Sequence, residues 1–266
     1  MAALQEKRRK LKKKSVDLAF LDDYMCKYSR HIYEKTGLKV QDPGIGVGCG
    51  TYGCVYLTDD PKWVVKVTRD KDEGPMALRI VEIRKELEGG DGYGPSKALP
   101  GIIFFRNIFQ ARTIEHHRKL FKPTVIIREN IEPVTNKDVE ERMDWFVDKS
   151  FGSKLRPGLE IAQLWAEKFH SDEGDLAKAV VKFGEWLDRI KDEFPLVVDD
   201  MLYLMNNQDL MLADVHAFNV GYSVTDWGRG FRKPGSVIIH DLGMTPTVPK
   251  SRFRMLNPIP LRIVET

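Results

Sequence analysis

Residues 48–55 read Gly-Cys-Gly-Thr-Tyr-Gly-Cys-Val. A backbone without Cβ turns sharply, and its N–H groups can approach phosphate oxygens closely. On the following apolar run, Val64-Val65-Lys66-Val67, one lysine interrupts the hydrophobic pattern. A charge in such a strand needs a partner, and phosphate oxygens together with a helix carboxylate would supply one. Far downstream, Asp214 and Asn219 lie five positions apart, and Asp241 ends the apolar run Val237 to His240, ahead of Leu242-Gly243. Magnesium takes oxygen ligands, often one or two carboxylates plus substrate phosphates, so Asn219 and Asp241 are candidate ligands. Asp214 is placed to accept or orient a hydroxyl proton. The set is suited to holding a magnesium-bound triphosphate and passing on its terminal phosphoryl group.

Each part has a plainer reading. The glycines could form a structural hairpin, Lys66 could point to solvent from an edge strand, and Asp or Asn often caps a turn. A dinucleotide-binding fingerprint would place the glycines between a strand and a helix. Here a strand follows, in Cys54-Val55-Tyr56-Leu57, so the phosphate hairpin is the better match. The carboxylate for Lys66 is open among Glu82, favoured by spacing, Glu86, nearer the apolar face of its helix, and Glu73 at the helix start. Cys49 and Cys54 read as small loop residues.

The elements that must position these residues follow from the pattern. Ser15 can cap a helix through about Lys35, with Leu18, Leu21, Met25, Tyr28 and Ile32 on one face and Gly37 as the stop. The segments Gly44 to Leu57 and Trp63 to Val67 predict an antiparallel hairpin around a polar turn. A helix is expected over 73–88, with Met76, Ile80, Ile83 and Leu87 on its apolar face. Ile102 to Phe105, Phe109 to Thr113 and Thr124 to Arg128 read as strands, and Glu129 to Pro133 as a connector. Helices are expected over 136–149, 158–170, 174–193 and 197–207. A second hairpin, Asn219 to Val224 with Val237 to His240, closes the pattern. Strands first and helices after argue for an α+β fold with segregated lobes.

With 266 residues, 42% hydrophobic and 30% charged, the chain can bury a large core. No run reaches the roughly 20 apolar residues of a membrane-spanning helix, and no apolar run follows the basic start as in a secretory signal. Seven basic residues from Lys7 to Lys14, against Glu6, give the first 14 residues +6 of the net +3, so the rest carries −3. The body is therefore not a basic nucleic-acid binder. Residues 7–14 form an electrostatic arm for nucleic acid, acidic membrane or an acidic partner, or else a solvated helix start. Three cysteines, an odd count without a disulfide framework, fit a reducing cytosol.

The order Gly48-x-Gly50-x-x-Gly53-x-Val55, Lys66, Asp214-x-x-x-x-Asn219 and Asp241-Leu242-Gly243 resembles the protein-kinase signature set, across roughly residues 44–243. The resemblance implies a bilobal protein-kinase-like fold with a small antiparallel β-sheet lobe and a truncated, mainly helical lobe. It divides the chain into a basic arm and helix over 1–37, a nucleotide-binding lobe over 38–130, and a catalytic lobe over 131–266. It implies ATP and Mg2+ as cofactors. Gly48, Gly50, Thr51, Gly53 and Val55 would cradle ATP, and Lys66 would grip its phosphates with Glu82 as partner. Glu129 and Ile131 would belong to the hinge that meets adenine, Asp214 would be the catalytic carboxylate, and Asn219 and Asp241 would hold the metal.

The chain departs from ordinary protein kinases in several ways. Leu212-Ala213 precede Asp214 where His-Arg is usual, and Asp214-x-His216-x-x-Asn219 is similar to aminoglycoside- and choline-type kinases and to small bacteriophage kinases. Only 23 residues follow Gly243, with no Ala-Pro-Glu-like motif. The implied activity is that of a minimal Ser/Thr protein kinase; a small-molecule kinase and a nucleotide-binding pseudokinase-like module are the alternatives. The acceptor is a protein or small-molecule hydroxyl. A cytoplasmic location is expected, the host's if the chain is virus-encoded.

Overall fold

A computed structural model describes residues 19–50, 52–116, 119–135, 137, 184–208, 210, 212, 215 and 219–242. The chain divides into two compact units, Met1–Val81 with Phe104–Asn130, and Glu82–Ile103 with Ile131–Thr266. The described residues form a mixed α/β structure whose named strands all pair antiparallel. No helix among them is long and apolar enough to cross a membrane.

The first unit is built on a five-stranded sheet. Its strands are β1 (Gly48–Cys49), β2 (Gly53–Leu57), β3 (Trp63–Thr68), β4 (Phe105–Gln110) and β7 (Thr124–Glu129), in the order β1-β2-β3-β7-β4. A separate two-stranded ribbon joins β5 (Ile114–His116) to β6 (Lys119–Phe121). Val64, Val65 and Val67 of β3 and Val125, Ile126 and Ile127 of β7 are buried, as near-continuous apolar runs in central strands should be. Helix α1 (Ala19–Thr36) puts Leu21, Met25 and Ile32 into one core with Val65, Val67, Val125 and Ile127. Their four- and seven-residue spacing is one face of a helix. The Gly37 N–H donates to the Tyr33 carbonyl at 2.8 Å with φ of 70°, the left-handed stop that glycine adopts without a Cβ penalty. The expected cap at Ser15, with Leu18, lies outside the described residues.

Helix α2 (Glu73–Glu88) occupies the expected range. Met76, Ile80 and Ile83 are buried, but Leu87 is exposed and Arg84 is buried in its place. The strands expected at 102–105 and 109–113 are replaced by one strand, β4, whose register shifts between Phe105 and Asn107. That irregularity breaks the period-two pattern on which strand reading depends.

The second unit holds a three-stranded sheet, β8 (Ile131–Pro133), β9 (Val220–Ser223) and β10 (Val237–Ile239), in the order β10-β9-β8. Helix α3 (Pro195–Gln208) packs on β10 and buries Val197, Val198, Met201, Leu204 and Met205. Helical residues also occur at 184–190, within the range expected over 174–193. The helices expected at 136–149 and 158–170 fall outside the described residues.

A buried polar cluster fixes residues 100–103 within this unit. The Arg84 guanidinium donates to the carbonyls of Ile102 at 3.3 Å and Ile103 at 2.8 Å, and Arg232 donates to those of Pro100 and Ile102, both at 2.7 Å. The Asp200 carboxylate accepts the Gly101 N–H at 2.7 Å. Burial pushes the Asp200 carboxyl above the usual range, while the Gly101 N–H and the charges of Arg84 and Arg232 oppose that rise. Ile102 then bridges to Ile239 of β10.

Candidate active site

The glycine segment is a β-hairpin, as its sequence predicts. Gly48 lies opposite Val55 and Cys49 opposite Cys54. The Gly50 N–H closes the turn on the Gly53 carbonyl at 2.9 Å. Thr51 lies outside the described residues, and Tyr52 is exposed. The glycines serve different ends. A Cβ on Gly53 would sit 2.5 Å from the Val67 carbonyl oxygen and 3.0 Å from the Thr68 Cα, so the neighbouring strand demands glycine there. A Cβ on Gly48 or Gly50 would meet nothing within 4 Å. No protein contact requires those two, and their open backbone is what a close-fitting anion would need.

Lys66 stands on β3, opposite Val55 of the hairpin and Ile126 of β7. It is in a central strand and only 8% exposed, which excludes a solvent-pointing edge lysine. Its ammonium forms an ion pair with Glu73, the first residue of α2, itself 3% exposed. This corrects the expected pairing with Glu82, which is exposed, as is Glu86. The short link from Thr68 to Asp72 brings the helix start back beside β3. Asp70 accepts the Asp72 N–H at 2.9 Å, and the Thr68 hydroxyl accepts the Asp70 N–H at 3.0 Å. A carboxylate at a helix N-terminus also gains from the helix dipole. Spacing along the helix could not reveal this, because the linking turn decides which glutamate arrives first.

Two further features were not legible in the sequence. The Asp22 carboxylate on α1 accepts both the Gly46 N–H, at 3.1 Å, and the Tyr56 hydroxyl, at 2.8 Å. It ties the added helix to the strand entering the glycine hairpin. Burial first, and then the bond to Asp22, keeps the Tyr56 hydroxyl protonated. Second, Cys49 and Cys54 form a disulfide across β1 and β2, whereas Cys26 is free and exposed. This corrects their reading as unpaired loop residues and the expectation of no disulfide. The signal available was two cysteines symmetrically flanking a predicted tight turn, where antiparallel register sets them face to face.

Glu129, expected at the hinge, is fully buried. Its N–H donates to the Phe104 carbonyl at 2.9 Å, its carboxylate accepts the Phe104 N–H at 3.5 Å, and its carbonyl accepts from Arg128 at 3.3 Å. The Glu129 N–H is thus already engaged within the first unit. Ile131 begins β8, opposite Ser223.

In the second unit, β9 and β10 form the expected hairpin, with Val220 opposite Ile239. The His240 N–H donates to the Asn219 carbonyl at 2.9 Å, so Asn219 and Asp241 share one end of that hairpin. Asn219 is 9% exposed and Asp241 half-buried. Among the described residues no group of three or more His, Cys, Asp or Glu side chains gathers as a metal site. Asn219 and Asp241 carry side-chain oxygens of the kind magnesium takes, and that ion keeps waters and phosphate oxygens as its other ligands. Asp214, His216 and Gly243 lie outside the described residues.

No family model and no curated protein matches the chain. Solved kinase structures align with it at low similarity. Vaccinia-related kinase 3 is 11% identical with a TM-score of 0.36, the alignment covering 79% of this chain and 48% of that one. The crystal structure of a Plasmodium kinase domain is 14% identical with a TM-score of 0.33, covering 79% of this chain and 51% of that one. The chain thus matches about half the length of either structure.

Proposed function

We infer that this chain is a kinase-like phosphotransferase that uses ATP with magnesium, most simply a minimal Ser/Thr protein kinase. The carrying observation is the buried ion pair of Lys66 with Glu73, one strand away from a glycine hairpin with an open backbone face. An ammonium held in an apolar sheet needs a strong anionic partner, and Glu73 fixes it in place for phosphate oxygens to share. Asn219 and Asp241 would hold the magnesium, which supplies charge neutralisation for the phosphates. Asp214 would take the proton as the acceptor oxygen forms its bond to the terminal phosphorus and the bond to ADP breaks.

The test is ATP consumption with and without magnesium, with transferred phosphate located by mass spectrometry. Magnesium-dependent labelling of protein in a bacterial lysate, or of the chain itself, is the expected result. Turnover only with a metabolite mixture would instead identify a small-molecule kinase. Binding without turnover on any acceptor would leave a nucleotide-binding module.

The glycines provide a sharper check. Gly50→Ala should leave thermal stability within about 0.5 kcal/mol of wild type, since the new methyl meets no protein atom. It should raise the Kd for ATP about tenfold through crowding at the phosphates. Gly53→Ala should do the reverse in order: a loss of about 2 kcal/mol or more in stability precedes any effect on affinity. Denaturant melts and nucleotide titration of both variants decide the matter, and equal nucleotide affinity of wild type and Gly50→Ala would remove the phosphate role from this turn.

A further inference from the structure

The geometry points to the Cys49–Cys54 pair as a reversible thiol latch that sets how tightly the glycine hairpin holds its nucleotide. The inference rests on the nucleotide reading of that hairpin. β1 is a two-residue strand at the margin of the sheet, and β2 is its partner. Cys49 and Cys54 are the last paired residues before the turn, directly opposite, with Cα atoms 4.1 Å apart. That close approach is the mark of a non-hydrogen-bonded antiparallel pair, where side chains meet face to face. The Gly50 N–H to Gly53 carbonyl bond lies on the turn side of the bridge, and the Val47 N–H to Val55 carbonyl bond lies behind it, at 2.8 Å.

Without the bridge, the outer arm of the hairpin is held by few bonds. A two-residue strand has little pairing of its own, and exposed margins fray at low free-energy cost. Gly46, just ahead of it, is held by Asp22 and packs beside both cysteines: a Cβ there would lie 2.9 Å from the Cys49 sulfur and 3.1 Å from the Cys54 Cβ. The covalent link therefore preorganises the arm that carries Gly48 and Gly50. Preorganisation raises affinity by removing the ordering cost from the binding step.

Access is asymmetric. Cys49 is half-buried, whereas Cys54 is 1% exposed. An incoming dithiol reductant attacks as a thiolate on the Cys49 sulfur, forming a mixed disulfide and releasing the Cys54 thiolate, which takes up a proton. The reductant's second thiol then displaces Cys49 and closes its own disulfide. Two electrons and two protons pass to the protein, and the reductant is oxidised by the same two electrons. Cys26, exposed and free, is the internal control.

The experiment uses the full chain, air-oxidised or reduced with dithiothreitol, with the two-hydrogen mass difference verified on intact protein. Affinity is read with a non-hydrolysable ATP analogue and magnesium. Hydrogen exchange is read at the Val47 and Gly50 amides. The oxidised form should bind about tenfold more tightly than the reduced form. Both amides should exchange faster on reduction. Cys49→Ser should bind like the reduced form under all conditions, and Cys26→Ser should retain the full redox response. Cys54→Ala provides the second route to the open state should Cys49→Ser fold poorly. Equal affinity of the two redox states, or a response that survives in Cys49→Ser, overturns the latch. No analogue binding in either state overturns the nucleotide reading and the affinity claim with it, while the two amides then report separately whether the bridge orders the hairpin.

Discussion

Alanine at Asp241 is expected to lower the turnover of ATP by about a thousandfold or more while leaving the protein folded. The side chain is half-buried at the end of β10, beyond the last pair of the β9–β10 ladder, so no ladder hydrogen bond depends on it. Asp241 has interactions of its own within the fold, so its loss should cost about 0.5–3 kcal/mol of stability. The effect on turnover follows from its proposed role as the carboxylate that brings magnesium to the phosphates. A magnesium titration checks the assignment: the variant should need far more metal for residual activity. Asn219→Ala, at the same end of the hairpin, should be strongly non-additive with it, because two ligands of one ion fail together. Wild-type turnover in Asp241→Ala would remove the metal site from this hairpin.

Lys66→Met carries the second large effect, and here activity and stability must be separated. Phosphoryl transfer should fall by about two to four orders of magnitude, because the charge facing the developing phosphate is gone. The same change leaves Glu73, 3% exposed, without its lysine. Breaking one side of a buried pair costs about 3–5 kcal/mol, so the variant should also melt early. Pairing it with Glu73→Gln removes the buried charge that has lost its lysine. The double variant should regain much of the lost stability and none of the activity. Recovery of activity along with stability would show that Lys66 is a structural lysine and no more.

The local patterns were largely legible in the sequence. Glycines and β-branched residues around a polar turn specify the β1–β2–β3 arrangement, and Lys66 is singled out because the residues on either side of it, Val64, Val65 and Val67, are apolar. The span of α2 and the β9–β10 hairpin follow from the same short-range rules. The rest depends on residues distant in the chain. Asp22 reaches Gly46 and Tyr56 from another element, and Asp200 meets Gly101 across 99 positions. Arg84 looks like an ordinary helix-surface residue, yet it is turned inward by the carbonyls of Ile102 and Ile103. Spacing favours Glu82 over Glu73 as the partner of Lys66, but helical spacing says nothing about the turn that delivers the helix. An odd cysteine count does not reveal the disulfide, because it says nothing about which two of the three residues face each other.

The margins of the five-stranded sheet have a bearing on solubility. An unpaired strand edge is a template on which another molecule can add its own strand. One margin here is β1, only two residues long and followed at once by the turn. The other is β4, whose bulge lies beside the exposed Arg106. A brief edge and a kinked, charged edge are both poor templates for intermolecular pairing. The sheet that carries Lys66 therefore ends at its own borders, which protects a β-rich surface from self-association at high concentration.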